Sequence, residues 1–237
     1  MSGIRTSEKT VASIVAADMR TAMVFKRHGI DFCCGGGKPV REACKSKGID
    51  PEIVFSEIES LEISTAESDF DKMPLDDLAE YILTNHHSYV KKSLPIITQF
   101  ANKVAKVHGH AQPETVKIAE LFHSVSQELE MHLLKEERML FPYIIELVRS
   151  RGDGESIQAP FGTVKNPIKM MEQEHESAGE IFREIEMLSS NFTPPSHACN
   201  TYKALYFHLK EFQDDLHIHI HLENNILFPK AIDLELN

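Results

Sequence analysis

The sequence predicts an all-α protein: a four-helix bundle preceded by a small helical domain. Three observations carry that prediction. After about residue 74, long stretches place apolar residues at helical spacing. Hardly any stretch alternates in the manner of a strand. A histidine–glutamate motif recurs on two of the long helices at one constant offset, as expected of a bundle built from two similar helix pairs.

The elements follow in order. Residues 1–62 read as the small helical domain. "SIVAADMRTAMVFKRHG" predicts two brief helices ending at Gly29. "KPVREACKSKG" is opened by Pro39 and stopped by Gly48, and "DPEIVFSEIESL" has Asp50 as N-cap and Pro51 at the first helical position. Between them "DFCCGGGK" is a glycine-rich turn. The polar, acidic "EISTAESDFDKM" predicts a linker over residues 63–73. Residues 74–237 form the bundle. Its first helix carries Leu75, Leu78, Tyr81 and Ile82 on one face and bends at Pro95 rather than ending there. The other three are expected over residues 113–150, 166–190 and 197–233, with breaks at "HGHAQP", "RGDGESIQAPFG" and "NFTPPS".

Composition narrows the function. The chain has 237 residues, 42% of them apolar, enough for one sizeable core and a small second unit. A formal net charge of −11 opposes a nucleic-acid partner, which needs a basic face. No apolar run reaches the length of a bilayer span, and "MSGIRTSEKTVASI" lacks the apolar centre of a signal peptide, so no membrane partner and a cytoplasmic location are expected. Four cysteines, two of them adjacent, do not make a secreted disulfide framework. Thirteen histidines are many, and they are the first pointer to a metal.

The pointer sharpens in a repeat. "HLLKEERMLFP" at 132–142 and "HIHLENNILFP" at 219–229 both read His, three residues, Glu, three residues, Leu-Phe-Pro. His132 and His219, Glu136 and Glu223, and Pro142 and Pro229 are each 87 residues apart. Within "HIHIHLENNILFP" the repeat equates His219 with His132, so His217 and His221 are expected to flank that face or meet solvent. Four residues make about one helical turn, which puts each His and Glu on one face. One such pair alone is an ordinary surface ion pair; two in the same register place imidazoles and carboxylates at the bundle centre. Carboxylates bridge cations and imidazole suits a transition metal such as iron.

The remaining two helices supply one candidate ligand each. The third offers His175 in "MMEQEHESAGEIF", and the first offers His86 or His87. His175 lies 88 residues beyond His87 and 89 beyond His86, which mildly favours His87. Four histidines and two glutamates would give each of two metals a pair of imidazoles and two shared carboxylates, with room for a bridging oxide or water. No HExxH, Walker or GxGxxG motif is present, and no Ser-His-Asp arrangement can be argued.

At these residues the chain resembles the hemerythrin-like di-iron proteins, and more closely the iron–sulfur cluster repair di-iron family, the repair of iron centres proteins. The resemblance runs through "GIDFCCGGGK", "HHSYVKKSLP", "HLLKEERMLFP", "EQEHESAGEIF" and "HLENNILFP" in order and covers nearly the whole chain. It implies a hemerythrin-like four-helix bundle whose iron ligands are His87, His132, Glu136, His175, His219 and Glu223. It implies a centre of two iron ions, oxo-bridged and non-haem. It also implies that Glu128 and Glu174 line an iron or proton path; the plainer alternative for both is a solvated helix face.

The implied function is repair of iron–sulfur clusters damaged by nitrosative or oxidative stress, by supplying iron. Damaged iron–sulfur proteins are the implied partners, nitric oxide or oxygen the small ligands, and a homodimer the assembly. A nitric oxide reductase and an oxygen or nitric oxide sensor are the alternatives, and oxygen carriers of this kind usually use five histidines. Cys33 and Cys34, adjacent and followed by three glycines, are suited to form a vicinal disulfide, transfer a metal or react with nitric oxide, or simply to pack. The resemblance favours a redox role for them. Cys44 and Cys199 read as structural.

Overall fold

The computed structural model describes residues 9–61, 70–153 and 157–236. No strand occurs among the described residues, only an isolated bridge between Thr10 and Pro39. The chain forms two compact units, one of residues 1–78 and 217–237, the other of residues 79–216.

The first unit begins with four short helices, each bounded by its own sequence. Helix α1 (Val11–Ala17) starts where the Thr10 hydroxyl accepts the Ser13 amide at 3.1 Å. Two more of its open amides, Val11 and Ala12, donate to the Lys38 and Gly36 carbonyls at 3.0 and 2.8 Å. Helix α2 (Thr21–Arg27) runs out at Gly29, in the left-handed region at φ 62°. Pro39 opens α3 (Val40–Lys47) and left-handed Gly48 closes it. The Asp50 carboxylate caps α4 (Pro51–Glu59) by accepting the Glu52 amide at 3.0 Å. Val11, Val15, Phe25, Val40, Cys44 and Val54 are buried together as apolar core.

The glycine-rich turn is held tightly. A methyl group at Gly36 would lie 2.3 Å from the Phe32 carbonyl oxygen and 2.9 Å from Ala12 Cβ. Gly36→Ala is therefore expected to destabilise the chain by about 1–3 kcal/mol through overpacking. A urea midpoint unchanged from the parent would contradict this.

Part of the expected linker, residues 63–69, lies outside the described residues. Its far end departs from the expectation: Phe70–Lys72 is a 3₁₀ turn with Phe70 buried, because an apolar ring ends the polar stretch.

The long helices follow: α5 (Leu75–Ile82), α6 (Ser88–His108), α7 (Glu114–Lys135), α8 (Phe141–Asp153), α9 (Lys165–Leu188), α10 (Asn200–Leu222) and α11 (Phe228–Leu236). Helix α6 continues through Pro95, as the sequence predicts, and Pro95 is exposed, so water can serve the carbonyl it leaves unpaired. In the second unit α6, α7, α9 and residues 200–216 of α10 make the bundle. Phe122, Phe182 and Phe212 tie α7, α9 and α10 together, with Phe182 stacked on Phe212 at 5.5 Å and Phe122 edge-on to both.

Three wide π-turns interrupt these helices: Leu83–His87, Glu136–Leu140 and Glu223–Leu227. Two of them explain the repeated Leu-Phe-Pro. A proline has no amide hydrogen and its ring collides with the carbonyl four residues back. Widening the turn before Pro142 and Pro229 relieves both problems. The Phe141 amide then donates to the Glu136 carbonyl and the Phe228 amide to the Glu223 carbonyl, five residues back. The prolines thus fix the local backbone at the two repeated glutamates.

Candidate metal centre

In the second unit four of the sequence candidates come together. His87 ends the first π-turn, His132 lies in the last turn of α7, Glu136 opens the next π-turn, and His175 lies midway along α9. All four are buried, Glu136 completely. Glu136 Oε2 stands 3.4 Å from His87 Nε2 and 3.2 Å from His132 Nε2. His132 Nε2 and His175 Nε2 are 3.0 Å apart. One ligand atom each from His132, Glu136 and His175 lies within 4.8 Å of the others. Glu136 Oε2 is therefore shared between the His87 imidazole and the His132–His175 pair.

An outer pair of carboxylates sets which ring nitrogen points inward. His87 Nδ1 is 2.9 Å from Glu137 Oε1, and His132 Nδ1 is 2.9 Å from Glu174 Oε2. Lys91 grips Glu137 at 2.6 Å, and Lys135 grips Glu174. Burial works against charge on Glu137, but the bonds from Lys91 and His87 outweigh it and hold the carboxyl below its ordinary range. The bond from His132 does the same for Glu174, against partial burial and with help from Lys135. Ionised carboxylates only accept, so each Nδ1 carries a hydrogen, and in the neutral ring the lone pair then lies on the inward Nε2. Nε2 lone pairs converging on one buried carboxylate are the donors a first-row transition cation takes, and this chain has a metal site.

Removing an outer carboxylate's charge should loosen the site without removing a ligand. Glu174→Gln and Glu137→Gln are each expected to weaken metal binding roughly 10–100-fold, read by competition with a chelator. Parent-like affinity in both would contradict the role given to these carboxylates.

In the first unit His219 and Glu223 form the other repeated pair, with Nε2 2.9 Å from Oε1 and both residues buried. Of the two places expected for His221, solvent is excluded: it is fully buried, with Nδ1 3.2 Å from the Phe32 carbonyl oxygen. Burial lowers its pKa to about 4, so the ring is neutral and Nδ1 donates to that carbonyl. His217 is half-buried, edge-on to the Phe32 ring. His86 is buried and pairs through Nδ1 with Asp215 at 2.9 Å.

Glu128 and Glu174 line one cleft of about 450 Å³ with Gln127, Met131, Lys135 and Met170. Glu128 accepts from the Ser124 and Ser177 hydroxyls, whereas Glu174 reaches His132 directly. Glu137 was missed in the sequence. A signal was available: Lys91 follows His87 by four residues and Lys135 follows His132 by three, so each histidine has a lysine one turn on to hold a carboxylate against it. Among the cysteines, Cys33 and Cys44 are buried, but Cys34 and Cys199 are exposed. Cys199, read from the sequence as structural, is exposed just before α10, with its sulfur 3.4 Å from His108 Nε2.

The wider comparison agrees with this geometry. The sequence profile of the hemerythrin HHE cation-binding domain matches residues 78–231, and that of the ScdA_N domain, described as a domain of unknown function, matches residues 7–62. The iron–sulfur cluster repair protein YtfE of Cronobacter sakazakii is 35% identical over 213 residues, covering 90% of this chain and 91% of that protein. Its namesake in Yersinia pestis is 33% identical over 225 residues, covering 94% and 96%. That of Citrobacter koseri is 35% identical over 213 residues, covering 90% and 91%. A buried histidine–glutamate site in a helical bundle, a cation-binding profile over most of the chain and near full-length relatives place this protein in the hemerythrin-like iron–sulfur cluster repair family.

Proposed function

We propose that this chain holds two irons through His87, His132, Glu136, His175, His219 and Glu223, and supplies iron to iron–sulfur clusters damaged by nitrosative or oxidative stress. The observation that carries the reading is the buried Glu136 carboxylate between the His87 and His132 imidazoles. A carboxylate so placed is suited to bridge two cations. His219 and Glu223 join the set on the sequence repeat and because the cation-binding profile runs on to residue 231. On this reading the four imidazoles and the Glu136 and Glu223 carboxylates would hold the iron pair, with an oxide as a further ligand. The relatives, iron–sulfur cluster repair proteins by name, support the repair role.

The residues of this chain have distinct tasks. Glu137 and Glu174 orient His87 and His132 and keep their Nε2 lone pairs available. Glu128 and Glu174, in one cleft, form the route by which iron reaches or leaves the centre, the Glu174 carboxylate bonding the His132 ring at its inner end. When bound, the iron pair supplies ferrous iron for transfer. The reading carries with it damaged iron–sulfur proteins as partners, nitric oxide or oxygen as small ligands, a homodimer and a cytoplasmic setting. No helix among the described residues is long and apolar enough to cross a membrane.

Anaerobic incubation of the ferrous-loaded chain with an apo iron–sulfur acceptor tests it. The expected result is stoichiometric movement of iron to the acceptor with recovery of its cluster. Catalytic nitrous oxide formation from nitric oxide, with the iron retained, would overturn the donor reading in favour of a reductase.

A further inference from the structure

The glycine-rich turn holds a group of side chains the metal centre does not use. Asp31 Oδ1 accepts the Cys33 backbone amide at 2.9 Å and faces the Cys33 sulfur at 3.2 Å. Cys33 is buried, at 6% exposure, while its neighbour Cys34 is exposed. Their sulfurs are 4.0 Å apart. One thiol hydrogen cannot serve both acceptors, and the closer carboxylate takes it, so Cys33 donates to Asp31.

The turn is also fixed from behind. Asn225 Nδ2 donates to the Cys33 carbonyl at 2.9 Å, and the Gly36 and Lys38 carbonyls are taken by the first amides of α1. At Gly35 a Cβ would come within 3.3 Å of the Asp31 side chain, so a glycine there leaves that carboxylate its room. The two thiols are therefore unlike. The adjacent Cys34 sulfur, burial and the negative charge of Asp31 all push the Cys33 thiol well above the ordinary range. Cys34 meets solvent.

We propose that Asp31, Cys33 and Cys34 form a thiol–disulfide exchange site for low-molecular-weight disulfides, in which Cys34 attacks first, Cys33 resolves, and Asp31 is the base for the second step. In the first step Cys34 gives its proton to solvent, and its sulfur bonds to one sulfur of the incoming disulfide. The disulfide bond breaks and the first thiolate leaves with the electron pair, taking a proton from water. In the second step Cys33 hands its proton to the Asp31 carboxylate and its sulfur attacks Cys34 Sγ. The mixed disulfide breaks and the second thiolate leaves, protonated through solvent as Asp31 returns its proton. The protein dithiol loses two electrons and the small disulfide gains them. The site needs no metal and stands apart from the repair reading.

The test uses the full chain carrying Cys199→Ser, which removes the other exposed thiol, with hydroxyethyl disulfide as probe and intact mass after acid quenching. The parent should lose two thiols with no adduct retained. Cys33→Ser should accumulate a stable adduct on Cys34 at the parent's rate, and Cys34→Ser should form its adduct roughly tenfold or more slowly. Asp31→Asn should keep the first rate but resolve roughly tenfold or more slowly, so that the adduct persists. Limiting iodoacetamide on the unsubstituted chain, mapped by fragmentation, gives a reading free of any folding effect: of the adjacent pair, Cys34 should carry the label. Labelling of Cys33 ahead of Cys34, or resolution in Asp31→Asn at the parent's rate, would overturn the proposal.

Discussion

Glu136→Ala is expected to strip most of the metal from the centre. The expected result is a chain that keeps its helical circular dichroism after anaerobic loading but holds less than half the parent's iron. The reason lies in the position of one carboxylate. Glu136 is fully buried, and Oε2 lies 3.4 Å from His87 Nε2 and 3.2 Å from His132 Nε2. Without it one of the two shared carboxylates is gone, and cations placed there would repel more strongly in a medium that screens poorly. The loss should exceed the roughly 10–100-fold expected for the outer carboxylates, which only orient ligands. Glu136→Gln separates charge from shape: it keeps one carbonyl donor and the side-chain volume, so it should bind more iron than the alanine variant and less than the parent. Parent-like loading of Glu136→Ala would contradict the shared-ligand role.

Phe212→Ala is the second large effect, and it concerns the bundle rather than the metal. Phe212 stacks on Phe182 at 5.5 Å, meets Phe122 edge-on at 5.9 Å and contacts the Tyr89 ring at 6.1 Å. The three phenylalanines have no solvent exposure and come from three different helices. Truncation loses the transfer energy of a buried ring and leaves a cavity that two rigid neighbours cannot fill. About 3–5 kcal/mol should be lost, read as a fall in the denaturant midpoint with unchanged slope. Phe207→Ala is the control, since Phe207, five residues earlier on the same helix, is 59% exposed and should cost far less. Equal costs for the two would contradict the packing described.

Much of this structure could be read from local residues. Asp50 with Pro51, Pro39, Gly29 and Gly48 fix helix ends through hydrogen bonds and dihedral angles spanning a few residues, so their signals survive in the bare sequence. The repeated His–Glu pair was legible for the same reason, since four residues on a helix settle which side chains share a face. The π-turns were not. The two Leu-Phe-Pro motifs marked where the helix is disturbed, but widening the turn and breaking the helix both relieve a proline, and only tertiary packing chooses between them. Nor was the fate of His221, whose partner carbonyl on Phe32 is 189 residues away. Glu174 was legible as an acidic residue near the candidate site, but its bond to His132 spans 42 residues, and periodicity carries no information at that range. The unlike character of Cys33 and Cys34 also stayed hidden, because burial of one thiol of an adjacent pair is set by how the turn folds, not by composition.

Iron-edge anomalous diffraction from crystals of the iron-loaded chain addresses the central claim most directly. The account predicts two iron peaks per chain, with the Glu136 carboxylate within bonding distance of both and His87 bound to a different iron from His132 and His175. A single peak, or iron bound without Glu136, would contradict it.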